Sequence, residues 1–173
     1  MRTTVALDRK FQVRYDGDVK TPTETNQRCS IARSLTVLGE KWSLLVVRDV
    51  RRGVTRFSDI RARLGVAPDI LADRLAKLVE LGVLTRRSYR EDGSREREEY
   101  VLTPAGEELT LVLAALNEWG DRHVPSEHGP ASRYVVAGTG RPAHLAFVDE
   151  DGRPIDLGDI AIEPGPGSLS LAG

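Results

Sequence analysis

The feature that most constrains this chain is the three-residue gap Gly65-Val66-Ala67 between two short amphipathic segments. In the first, Thr55 to Leu64, the apolar residues Phe57, Ile60 and Leu64 recur at the three- and four-residue spacing of one helical face. In the second, Pro68 to Leu81, Leu71, Leu75 and Leu78 do the same. Pro68 suits a first helical position, where its missing N–H costs nothing, and Gly82 suits the residue just past the helix end. So short a turn sets the second helix across the first, with one face packed inward and the other presented outward.

The flanks extend the pattern. Ile31, Leu35 and Leu38 predict a helix from Cys29 that Gly39 stops. Trp42, Leu45, Val46 and Val50 predict a second helix from Lys41 to Arg51, closed by Gly53. Both are short and depend on packing against other elements. After Gly82, Val83–Tyr89 and Glu98–Leu102 read as paired strands, and Asp92-Gly93 marks the turn of a charged hairpin tip. Thr103 and Pro104 then open a helix that runs to about Arg122. Leu109, Val112, Leu113, Leu116 and Trp119 stripe one side of it, while Leu111 and Ala115 add apolar surface elsewhere. A helix apolar on more than one face needs a partner beyond its own core, here a second copy of the chain with Leu109, Leu111, Val112, Leu116 and Trp119 at the interface.

The expected architecture is mainly α with a small β component (α+β), a winged helix-turn-helix. It divides into an N-terminal arm over 1–27, partly mobile, and a DNA-binding and dimerisation domain over 28–123. A small β-rich extension follows over 124–163, a hairpin or meander drawn from 143–148, 154–157 and 160–162. Residues 164–173 are expected as a disordered tail.

Net charge is −1, but its distribution is uneven. Residues 48–97 hold 13 basic and 8 acidic side chains, and residues 98–173 hold 4 basic and 13 acidic. A basic stretch of this kind is the footprint of a nucleic-acid surface, or else a solvated arginine-rich face. In the first reading the outward residues of the second helix, Asp69, Ala72, Asp73, Ala76 and Lys77, with Arg74 at the edge of that face, enter the major groove of double-stranded DNA. Arg56, Ser58 and Arg61 on the preceding helix lie near the backbone, and Arg86, Arg87, Arg90, Arg95 and Arg97 on the hairpin meet phosphates or an adjacent minor groove.

Several stretches together resemble the HxlR-type family of winged helix-turn-helix regulators. They are Cys29-Ser-Ile-Ala-Arg-Ser-Leu35, Val37-Leu-Gly-Glu-Lys-Trp-Ser-Leu-Leu-Val-Val-Arg-Asp49, Gly53-Val-Thr-Arg-Phe-Ser-Asp-Ile60, Leu71-Ala-Asp-Arg-Leu-Ala-Lys-Leu78, Leu81-Gly-Val-Leu84 and Tyr100-Val-Leu-Thr-Pro-Ala-Gly106. The resemblance spans residues 29–123. It implies a homodimer built from the terminal helices, each protomer offering one recognition helix and one wing to a pseudo-palindromic operator, and control of nearby genes. Two departures stand out: the arm before Cys29 is longer than the family pattern, and the tail is similar to an extension that carries cysteine pairs in some relatives but none here. No zinc site is expected in it.

Cys29, the sole cysteine, leaves no intrachain disulfide. It stands just before a helix with Arg28 beside it, an electropositive setting that favours thiol oxidation. The resemblance implies a redox switch through an intersubunit disulfide, against the alternative of a small residue packed near the dimer interface. Trp42 and Trp119 read as core and dimer packing anchors rather than ligand-stacking residues, the alternative being that they border a pocket for an unidentified small-molecule effector. His123, His128 and His144 are too scattered for a zinc motif, and Gly138-Thr-Gly140 lacks the rest of a dinucleotide fingerprint. No enzyme, cofactor or metal is expected. Without a secretory leader or an apolar span, the chain is expected in the cytoplasm. The competing function is a winged-helix module for protein interaction or small-molecule sensing that does not touch DNA.

Overall fold

The computed structural model describes residues 27–90 and 95–168. The arm over residues 1–26, the hairpin tip at Asp92-Gly93 and the tail from residue 169 lie outside them. In chain order the elements are α1 (Ser30–Leu38), α2 (Lys41–Arg51), α3 (Phe57–Leu64), α4 (Pro68–Glu80), β1 (Leu84–Tyr89), β2 (Arg97–Leu102), α5 (Pro104–His123), β3 (Phe147–Val148), β4 (Pro154–Ile155) and a 3-10 turn at Leu157–Asp159. This is the expected α+β winged helix-turn-helix.

The core is drawn from every element between α2 and β1. Val46, Val47 and Val50 of α2 meet Ile60 of α3, Leu71, Leu75 and Leu78 of α4, and Val66, Val83 and Leu84. Trp42 only half-enters this core, with the Lys41 ammonium 4.8 Å from its ring centre. Asp49, on α2, is fully buried. Its Oδ1 accepts hydrogen bonds from Arg48 Nε at 2.9 Å and Arg63 Nε at 3.3 Å, and so ties α2 to α3. A buried carboxylate is tolerated only when cations or donors compensate it, as these two guanidiniums do.

The start of α3 lies two residues later than the apolar spacing predicts. Thr55 is drawn into the sheet instead: its carbonyl accepts from Tyr100 N–H at 2.8 Å and its hydroxyl donates to Glu99 Oε2 at 2.6 Å. β1 and β2 pair antiparallel with Leu84 opposite Leu102 and Tyr89 opposite Arg97.

α5 begins at a tight junction. Thr103 Oγ1 accepts from Gly106 N–H at 3.1 Å, capping the helix as its sequence predicts. The same hydroxyl donates to Gly82 O at 2.5 Å, and Thr103 N–H donates to Val83 O at 3.1 Å. Gly106 is buried here, and a Cβ on it would lie 2.2 Å from Val83 O. Further along, Arg51 Nη1 on α2 pairs with Glu107 at 2.9 Å, and Arg51 Nε donates to Thr110 Oγ1 at 3.1 Å.

In the extension, β3 and β4 form a two-stranded hairpin with Phe147 opposite Ile155. Ile160–Ile162, expected as a further strand, does not join it, because the chain turns through the 3-10 segment instead. The extension bonds to the rest of the chain through Leu145 N–H to Glu118 Oε1 at 3.3 Å and a short hydrogen bond from Arg52 to Ser132 Oγ.

Candidate nucleic-acid interface

The turn between α3 and α4 depends on one glycine. Gly65 has φ +63°, the left-handed conformation, and its N–H donates to Arg61 O at 2.9 Å to close α3. Ala67 is extended, and Pro68 starts α4 immediately after it. Leu71, Leu75 and Leu78 are completely buried, which fixes the rotation of α4 about its axis. Asp69, Ala72, Asp73 and Ala76 are exposed, as the spacing predicts, along with Pro68 and Glu80, while Lys77, expected outward with them, is half-buried.

The two cations of α4 are committed elsewhere. Lys77 Nζ lies 3.2 Å from Glu80, one turn along the same helix. Arg74 leans back across the fold, its Nη2 3.5 Å from Glu40 at the start of α2, while its buried Nε makes no hydrogen bond. Ile70, absent from the sequence-based set, is also exposed beside Asp69.

On α3, Ser58 and Arg61 are exposed, and Ser58 Oγ donates to Asp59 Oδ1 at 2.9 Å. Arg56 precedes the helix and stacks its guanidinium on the Tyr89 ring at 4.6 Å, which joins the helix-turn-helix to the wing. On the wing, Arg86 lies 3.9 Å from Glu98, and Arg87 lies 2.8 Å from Glu99. The Thr55 hydroxyl and then Arg87, both hydrogen-bonded to it, hold the Glu99 carboxyl below the ordinary carboxylate range. Arg90, Arg95 and Arg97 are exposed, and among the described residues Arg61, Arg95 and Arg97 make no ion pair. Cationic side chains thus sit on α3 and the wing, while the α4 face carries acids and alanines.

A different surface lies on the terminal helices. α5 buries only Gly106 and Ala114, while Leu111 and Trp119 are 65% and 59% exposed and Val112 and Leu116 are exposed with them. Leu109, expected in the same set, packs with Leu113 against the chain's own core. α1 buries nothing and exposes Ile31 and Leu35. Cys29, at the N-cap of α1, is exposed, and Arg33 of that helix donates to Arg28 O at 2.7 Å.

Glu40, Tyr89, Thr55 and Glu99 escaped the sequence reading. Each acts through a partner far away in the chain, and no local spacing announces such a pair.

Residues 37–128 match the HxlR-like helix-turn-helix family. The chain belongs to that family. Over 139 residues it is 37% identical to an uncharacterized HTH-type transcriptional regulator, MT3179, of Mycobacterium tuberculosis, covering 80% of this chain and 87% of the relative. An Escherichia coli relative, the uncharacterized HTH-type transcriptional regulator YtfH, is 33% identical over 100 residues, 57% of this chain and 78% of its own. Among solved structures, PA1607, a candidate transcription factor, superposes with TM-score 0.68 at 36% identity, over 79% of this chain and 95% of its own. PA1374 of Pseudomonas aeruginosa, likewise a candidate transcription factor, gives 0.56 at 37% identity, over 82% and 96%. This HxlR-like chain is accordingly a DNA-binding transcriptional regulator of the helix-turn-helix type. Among the described residues no helix is long and apolar enough to cross a membrane.

Proposed function

We propose that the regulator works in the cytoplasm as a homodimer on a pseudo-palindromic operator, with α4 of each protomer in the major groove and each wing on the flanking backbone. The observation that carries this reading is the apolar surface left open on the terminal helices by Ile31, Leu35, Leu111, Val112, Leu116 and Trp119. Large apolar side chains left in solvent along two helices of a folded domain mark an association site. Pairing through it sets two α4 helices in two-fold relation, with half-sites roughly 10 bp apart, centre to centre. Arg56, Ser58 and Arg61 then serve the backbone, Asp69, Ala72 and Asp73 the groove, and Arg86, Arg87, Arg90, Arg95 and Arg97 the phosphates beside it, while Arg74 and Lys77 stay with their carboxylate partners.

The same arrangement gives a signal a place to act. Cys29 is exposed on the helix that carries Ile31 and Leu35, so an intersubunit disulfide there, or an effector seated near Trp42, would alter the spacing of the two α4 helices.

The test joins light scattering to titration of the purified full chain against the duplex upstream of its own gene at several salt concentrations. A dimer with salt-dependent affinity is expected, with the slope flatter by about one unit for Arg97→Ala. A monomer at working concentration, or binding indifferent to salt, overturns the reading.

A further inference from the structure

The outward face of α4 is unusual for an element that must approach a polyanion. Its exposed residues run Asp69, Ala72, Asp73, Ala76 and Glu80, with Ile70 at the edge. Its two cations are held by carboxylates, Lys77 by Glu80 and Arg74 by Glu40. The face therefore offers no unpaired arginine or lysine, the side chains that most often read guanine in the major groove. The face presents acceptors and methyl groups.

An ionised carboxylate only accepts hydrogen bonds. In the major groove the base donors are the exocyclic amines, N4 of cytosine and N6 of adenine. Guanine O6 and N7 and thymine O4 are all acceptors and repel it. Between the two amines, cytosine fits better. Adenine sets N7, an acceptor, beside its amine, where it would face the second carboxylate oxygen. Near the phosphates an unmatched aspartate is repelled with nothing in return, so a wrong base is penalised as well as unrewarded.

Asp69 and Asp73 stand one turn apart, about 6 Å along the helix axis, close to two base-pair steps. Ala72, Ala76 and Ile70 supply apolar contacts for thymine methyl groups.

Resting on the DNA-binding reading above, we infer that Asp69 and Asp73 are specificity determinants, and that α4 selects half-sites presenting two exocyclic amines about two base pairs apart, cytosine preferred, with thymine methyls alongside. The affinity comes from α3 and the wing, and the acids of α4 reduce it on every other sequence.

The experiment selects bound duplexes from a random library with the full-length chain and with Asp69→Ala, Asp73→Ala and Asp73→Asn, all first checked for folding by circular dichroism. The wild-type motif is expected to hold two strongly preferred C·G pairs about two steps apart. Each alanine variant should lose preference at one of them, by about tenfold in relative affinity, while binding non-specific duplex more tightly. Asp73→Asn should move its position toward adenine, whose N6 and N7 suit an amide. Variant motifs identical to the wild-type motif would overturn the inference and leave the DNA-binding reading intact. A wild-type chain that enriches no duplex at any salt concentration overturns both.

Discussion

α4 and α5 are both amphipathic and both flank the same core, yet they complete their packing differently. α4 places Leu71, Leu75 and Leu78 wholly inside and turns charged and small residues outward. α5 is longer, buries only a glycine and an alanine completely, and leaves Leu111, Leu116 and Trp119 in solvent. A helix apolar on one side finishes folding within its own protomer, while a helix apolar on two sides has finished only half of it. The first exposes chemistry for a ligand to read, and the second exposes surface that water disfavours.

The comparison breaks most severely at Leu75. Leu75→Ala opens a cavity beneath α4 and should cost about 2–5 kcal/mol in a denaturant titration, with the oligomeric state of the folded fraction unchanged. The opposite pattern is expected on α5. A Leu116→Glu, Trp119→Glu double variant should keep its helical circular dichroism, weaken self-association by about 2 kcal/mol or more in sedimentation, and lose operator affinity with it. Equal loss of fold in both variants would remove the distinction drawn here. Gly106→Ala sharpens it further by probing the tight junction at the head of α5. Its Cβ would meet Val83 O at 2.2 Å and Leu102 Cδ2 at 2.9 Å, so thermal denaturation should show a loss of about 1–3 kcal/mol. The smallest effect concerns Glu99, which accepts the Thr55 hydroxyl and pairs with Arg87 across the wing. Because the folded protein holds the Glu99 carboxyl low, its contribution is complete above the unfolded value of about 4.3 and fades as pH falls through the lower folded one. The stability gap between wild type and Glu99→Gln should therefore narrow over that acid range, as read by denaturation at stepped pH.

Much of this was legible in the chain itself. Periodicity placed α2, α4 and α5 to within a residue or so, because each buries a continuous face and ends on a recognisable signal: Pro68 before α4, and Thr103 with Pro104 before α5. The outward set on α4 followed from its inward leucines. What escaped were pairings across long sequence separation. Thr55 reads locally as the start of a helix, but its hydrogen bonds to Tyr100 and Glu99 pull it into the sheet. Arg74 reads as an outward cation until Glu40 is seen beside it. Asp49 gives no local sign that Arg63 will compensate its burial. In the extension Ile160–Ile162 is three residues long, too short for its apolar pattern to separate a strand from a turn.

The junction at Thr103 has a mechanical consequence. Because one hydroxyl grips both Gly82 and Gly106, and no side chain can be wedged between α5 and Val83, the foot of the wing and the head of the long helix swing as one rigid elbow. Were two copies to pair along that helix, this junction would carry a twist at the seam into the tilt of both wings.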